Sequence, residues 1–144
     1  MADALLHALL VALALVVTVT DLRSRLIPDL PLLIALIAAV SVCAVDDSGS
    51  IAGRLLAGAA AAGFLLAATL VRPDGMGLGD VKFAGVLGVY LGARVIEAML
   101  VAFAAGALTG MALLVRHGWE ARRRTIAFGP CLALGALVAI APQP

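Results

Sequence analysis

Two aspartates, Asp21 and Asp80, stand at the ends of long apolar runs, in a chain where only 13% of the residues are charged and 64% are hydrophobic. An acid beside a membrane-spanning segment is costly, so it is by default a candidate functional residue. Two carboxyl groups about 3 Å apart cannot both ionise cheaply and therefore share one proton. The ionised partner can activate water while the protonated partner hydrogen-bonds a scissile carbonyl oxygen, which is the chemistry of peptide hydrolysis.

The residues around the second acid read Gly77-Leu78-Gly79-Asp80-Val81-Lys82. Glycine carries no side-chain bulk and reaches positive φ without strain, whereas alternating glycines are unfavourable inside a helix. Gly77 and Gly79 therefore predict a backbone surface against which an extended substrate strand can lie.

The elements that must position these acids are membrane helices. Mean hydropathy is +1.16, and apolar runs long enough to span recur through the whole chain. The sequence predicts an all-α membrane protein with one domain, 1–144, and no nucleic-acid-binding surface. The expected bundle has six helices, over 4–21, 30–45, 51–71, 80–93, 95–115 and 125–142. Glycines four residues apart, Gly88/Gly92 and Gly106/Gly110, predict close helix packing.

The basic residues predict the orientation of the bundle. Short joints make neighbouring spans antiparallel, so eight of the ten basic residues fall on one side, and only Arg54 and Arg94 fall on the other. Cytoplasmic joints are enriched in Lys and Arg, so the eight define the cytoplasmic face. Both termini are then outside, and the joints that hold Asp21 and Asp80 lie together at the cytoplasmic face. The eight are Arg23, Arg25, Arg72, Lys82, Arg116, Arg122, Arg123 and Arg124.

Other functions are less consistent with this pattern. A lone acid at a span end is usually a solvated cap or the partner of a basic neighbour, here Arg23 or Lys82. A small non-enzymatic protein, such as a proton-coupled carrier using the same two acids, is the main alternative. Carriers favour ionisable groups near mid-membrane between repeated halves, whereas Asp21 and Asp80 lie at one edge and no repeat is visible.

The remaining reactive residues do not form a recognisable centre. Cys43 and Cys131 are expected at different depths, which argues against a disulfide, and there is no zinc-ligand quartet. His7 and His117 are expected on opposite sides, and no His-Glu-x-x-His is present. No metal and no organic cofactor is predicted. Both cysteines are interpreted as small buried residues.

The ordered motifs resemble the type IV prepilin peptidase family. Asp21 is followed by basic residues and Ile27-Pro28-Asp29, Asp80 stands in Gly-x-Gly-Asp-x-Lys, and 127–130 reads Ala-Phe-Gly-Pro near the last span. The resemblance covers nearly the whole chain. It implies a GxGD-type membrane aspartic endopeptidase in which Asp21 and Asp80 are the catalytic pair.

The same resemblance implies a substrate and a location. The substrate would be a prepilin, cut between its basic leader and its apolar helix at the cytoplasmic face of the bacterial inner membrane. Asp29 and Asp74 map onto positions flanking the motifs and could attract the leader, and Lys82 matches a basic position of unassigned role. A presenilin-like GxGD protease, which cuts within spans, is the related alternative, but the Ile-Pro-Asp context favours the prepilin type.

Two departures from the family pattern affect the expected activity. Larger members carry an N-terminal segment with paired Cys-x-x-Cys motifs, associated with methylation of the new N-terminus. This chain has only Cys43 and Cys131, so it resembles the short, peptidase-only form of Flp/Tad-type pili. Ala127 also stands where a proline is usual, which leaves the purpose of the last motif open.

Overall fold

The computed structural model describes residues 2–24, 26–46, 51–71, 76–117 and 128–141, and its regular structure over those ranges is entirely helical. This confirms the predicted all-α class. A 3-10 turn over Gly92–Arg94 separates the fourth helix from the fifth. The helices are α1 Ala2–Ser24, α2 Asp29–Asp46, α3 Ile51–Val71, α4 Leu78–Leu91, α5 Val95–His117 and α6 Gly129–Ile140.

Three helical stretches are long and apolar enough to cross a membrane, and two shorter apolar helices accompany them. The long stretches are Ala4–Ser24, Ile51–Val71 and Leu78–Arg116, and the shorter helices are Asp29–Val45 and Gly129–Ile140. The 39-residue stretch is not straight, because Gly92 has φ 57°, a left-handed conformation that glycine adopts without strain. The chain therefore turns there, between α4 and α5. The last helix begins at Gly129 rather than at the predicted 125, and residues 118–127 lie outside the description.

Helix α4 lies at the centre of the bundle. It has only 14 residues, about 21 Å, yet most of its side chains are buried, and it packs on α3, α2, α6 and α1. Many large apolar side chains of the surrounding helices are exposed, as expected where lipid replaces water. The largest fully buried side chains are Phe83, Leu10, Leu65, Leu87, Leu132 and Val17.

Glycines set the closest helix contacts. A Cβ placed on Gly88 of α4 would collide with the backbone of Gly58 in α3, and one placed on Gly135 of α6 would collide with the carbonyl of Ala98 in α5. Without a hydrophobic driving force in lipid, helices associate through close packing of small residues. Gly88 thus has the packing role predicted from its spacing, whereas Gly92 serves the turn.

The end of the bundle opposite Asp21 and Asp80 is held by hydrogen bonds to main-chain carbonyls. Arg54 of α3 donates to the Tyr90 carbonyl at 2.6 Å, and Arg94 donates to the Ala139 carbonyl at 3.3 Å. Further from that end, the Tyr90 hydroxyl donates to the carbonyl of Ala35, in the first half of α2, at 2.9 Å. Cationic side chains near helix C-termini satisfy carbonyls that lack intrahelical partners. These bonds link α2, α3 and α6 to the C-terminal part of α4 and the turn after it.

Candidate active site

Asp21 lies in the last turn of α1 and is 6% exposed. Its side chain faces the start of α6, where the backbone N–H of Gly129 donates to Asp21 Oδ2 at 3.0 Å. The contact is buried and joins residues 108 positions apart in the chain. A carboxyl removed from water in this way needs hydrogen-bond donors, and here the donor comes from another helix.

Asp80 is the third residue of α4 and is 7% exposed. The Gly77 N–H donates to Asp80 Oδ2 at 3.3 Å, and the Asp80 N–H donates to the Gly77 carbonyl at 3.1 Å. The other carboxyl oxygen, Oδ1, is buried and has no hydrogen-bond partner in the described part of the chain. Buried polar atoms are nearly always paired, so a buried acceptor without a partner marks a candidate reaction centre.

Asp21 and Asp80 lie close enough for their charges to act on each other. Each carboxyl is contacted by an N–H at the start of a helix, α6 for Asp21 and α4 for Asp80. Helix N-termini stabilise negative charge, while two neighbouring carboxylates repel each other. The carboxyl pair is therefore subject to two opposing electrostatic influences.

Cys131 and Thr109 belong to the same neighbourhood, which the sequence interpretation missed. Cys131 is buried, as predicted, and its thiol lies close enough to Thr109 of α5 and to both carboxyl groups to interact with them. The only sequence signal was its position two residues after Gly129. Within the described ranges, no three His, Cys, Asp or Glu side chains are grouped as a metal site requires.

The two glycines predicted to contact the substrate, Gly77 and Gly79, lie in different environments. Gly77 is exposed just before α4, whereas Gly79 is in the first helical turn, where an added Cβ would meet Ile27 Cβ at 2.9 Å. Packing against Ile27 is therefore one reason for glycine at 79. Substrate binding by either glycine stays a prediction.

Lys82 and Asp29 form an ion pair with each other. Lys82 Nζ lies 2.7 Å and 2.8 Å from the two carboxyl oxygens of Asp29, with both side chains more than half exposed. Lys82 thus pairs with Asp29 and not with Asp80, the partner expected if Asp80 were an ordinary acid at the end of a span. The pair joins the start of α2 to α4. Asp74 lies outside the described residues, and its role stays a prediction.

Comparison with known proteins shows the family to which the chain belongs. The chain is 35% identical over 134 residues to a prepilin leader peptidase/N-methyltransferase of Bacillus subtilis (strain 168), an alignment covering 90% of this chain and 52% of that protein. The chain thus spans about half the length of this relative. No solved structure matches the chain. The sequence pattern of the type IV leader peptidase family matches residues 8–115, which include Asp21 and Asp80, and the chain therefore belongs to the type IV leader peptidase family.

Proposed function

We propose that this multi-pass membrane protein is an aspartic endopeptidase that removes the leader peptide from type IV prepilins, with Asp21 and Asp80 as its catalytic pair. The observation that carries the proposal is the convergence of two buried carboxyl groups from α1 and α4, within electrostatic reach of each other. Family membership supplies the reaction class. The similar protein from Bacillus subtilis supports the substrate class.

The chemistry follows from one proton shared by two carboxyl groups. The ionised carboxylate takes a proton from a water molecule, and the resulting hydroxide forms a bond to the scissile carbonyl carbon. The protonated carboxyl hydrogen-bonds the carbonyl oxygen and stabilises its developing negative charge. When the tetrahedral intermediate collapses, the C–N bond breaks and a carboxyl proton passes to the leaving amine. The pair ends with one proton, as it began, so either residue can take either role.

The charge distribution supports a cytoplasmic active site in the bacterial inner membrane. Arg23 and Lys82 lie at the same end of the bundle as the carboxyl pair, while Arg54 and Arg94 lie at the opposite end. Basic residues concentrate on the cytoplasmic side, so the pair would face the cytoplasm with both termini outside.

Cysteine labelling tests that orientation. In a background with Cys43 and Cys131 changed to Ala, Ser24→Cys and Gly75→Cys should react with a membrane-impermeant maleimide only from the cytoplasmic side. Gly53→Cys, at the opposite end and with open space around residue 53, should react only from the outside. Labelling of the first two positions from different sides would overturn the topology.

Reconstitution with a synthetic pilin peptide tests the activity itself. The peptide carries a basic leader followed by an apolar helix, and mass spectrometry locates the cut. We expect one cleavage at the boundary between leader and helix. A cut inside the apolar helix would favour the presenilin-like alternative. Proton uptake into proteoliposomes without cleavage would favour the carrier.

A further inference from the structure

The Phe128-Gly129-Pro130 segment, whose purpose the sequence left open, supplies the hydrogen bond to Asp21. The Gly129 N–H donates to Asp21 Oδ2 at 3.0 Å in a buried contact. The first N–H groups of a helix have no intrahelical carbonyl to bond, so they are available to other acceptors. In the first turn of α6, the N–H group that can bond a side chain is that of Gly129. Pro130 has no N–H, and the N–H groups of Cys131 and Leu132 both donate to the Phe128 carbonyl.

The space beside Asp21 explains why residue 129 is glycine. A Cβ at this position would lie 2.7 Å from Asp21 Oδ2, 3.2 Å from Cγ and 3.3 Å from Cβ. The backbone gives no competing reason, because Gly92 is the glycine with positive φ in the described ranges. A side chain at 129 would therefore displace the Asp21 carboxyl group from its present position.

The start of α6 is itself held in place by aromatic packing. The Phe128 ring lies 5.6 Å from the Phe103 ring of α5, centroid to centroid, and a Cβ on Gly106 would meet the Phe128 ring at 2.9 Å. Phe128 therefore fits against α5 where Gly106 leaves room. Because Phe128 precedes Gly129, this packing fixes the point from which the N–H reaches Asp21.

We propose that Gly129 is a positioning residue, whose amide holds the Asp21 carboxyl group in the orientation needed to face Asp80. Helix α6 thereby becomes part of the active site without contributing a reacting group. The catalytic consequence rests on the proposed function, whereas the hydrogen bond and its geometric role do not. The two parts are therefore tested separately.

The hydrogen bond is tested by NMR of the full-length protein in detergent micelles, labelled with ¹⁵N-glycine. Asp21→Ala should move the Gly129 amide resonance and abolish its protection from hydrogen exchange. Asp80→Ala should move the Gly77 amide resonance instead, which makes the two variants matched controls for each other. Asp21→Asn keeps an acceptor oxygen and removes the charge, and should move the same Gly129 resonance. A Gly129 resonance that responds to neither Asp21 variant would overturn the proposal.

The positioning role is tested kinetically with Gly129→Ala. Misplacement by about 1 Å can cost about 100-fold in rate, and we expect a loss of kcat of that order with KM for the pilin peptide unchanged. Gly63→Ala, where the added methyl group enters open space, should retain wild-type kcat.

Three outcomes would decide between the two parts of the proposal. A folded Gly129→Ala protein with wild-type kcat would overturn the positioning role. If the Gly129→Ala protein does not fold, the NMR comparison of the Asp21 and Asp80 variants decides whether the hydrogen bond exists. A wild-type protein that fails to cleave while its Gly129 resonance responds as expected would refute the proposed function and leave the hydrogen bond standing.

Discussion

Changing Asp21 or Asp80 to Asn is expected to reduce the rate of cleavage of a pilin peptide by about 1,000-fold or more. General acid–base catalysis typically contributes a factor of about 10² to 10⁴ in rate, and in these variants water activation and oxyanion stabilisation are lost together. Asn has nearly the shape of Asp but can neither take up nor supply the shared proton. Each variant should therefore remain folded. Initial rates in proteoliposomes, normalised to folded protein, give the comparison.

The double variant and a distant acid provide the controls. Residues that act as a unit are strongly non-additive, so Asp21→Asn with Asp80→Asn should be no slower than either single variant. Glu97→Gln removes an acid from the first turn of α5, at the opposite end of the bundle, and should retain activity. Wild-type rates in either single variant would exclude that residue from the pair and would refute the proposed mechanism.

Changing Gly88 to Val is expected to destabilise the bundle by about 3 kcal/mol or more, at the upper end of what overpacking costs. The added atoms would meet the Gly58 and Ala57 backbone, which cannot rotate away as a side chain can. The helices α3 and α4 would have to separate. Because α4 carries Asp80, activity should fall in parallel with the folded fraction. Denaturant titration in detergent measures the free energy of unfolding of each variant.

Gly53→Val is the matched control for this effect. Gly53 lies in α3 like Gly58, but nothing stands within 4 Å of a Cβ placed there. Valine at 53 should therefore leave the free energy of unfolding almost unchanged. If Gly88→Val unfolds at the same denaturant concentration as Gly53→Val, the close approach of α3 and α4 does not support the fold.

Hydropathy and charge alone predicted much of the architecture, for a physical reason. In lipid, backbone N–H and carbonyl groups must form their hydrogen bonds within each helix, so a long apolar run in the sequence predicts a helix. Helix α3, for example, was predicted and is observed over 51–71. Scarcity of charge likewise singled out Asp21 and Asp80, since burying an acid is costly unless the site uses it. The family assignment followed from the ordered motifs and was confirmed by the match over residues 8–115.

The side-chain partners in the site could not be predicted in the same way. Which group faces Asp21 depends on the rotation of α1 and α6 about their axes, and hydropathy does not specify rotation. The bond from Gly129, the nearness of Cys131 and the pairing of Lys82 with Asp29 therefore became visible only in three dimensions. The Phe-Gly-Pro motif was the one clue in the sequence, and it did not indicate which residue it serves.

The hydrogen bonds from Arg54 and Arg94 to main-chain carbonyls lie at the end of the bundle remote from the carboxyl pair, whereas the Lys82–Asp29 ion pair lies at the same end as the pair. Helix α4 is therefore cross-linked at both of its ends, to α3 near Tyr90 and to α2 through Lys82. Helix α6 is likewise linked at both ends, to α1 through Gly129 and to the turn after α4 through Ala139. Such double anchoring restrains each helix against tilting and so keeps the two carboxyl groups in register with each other.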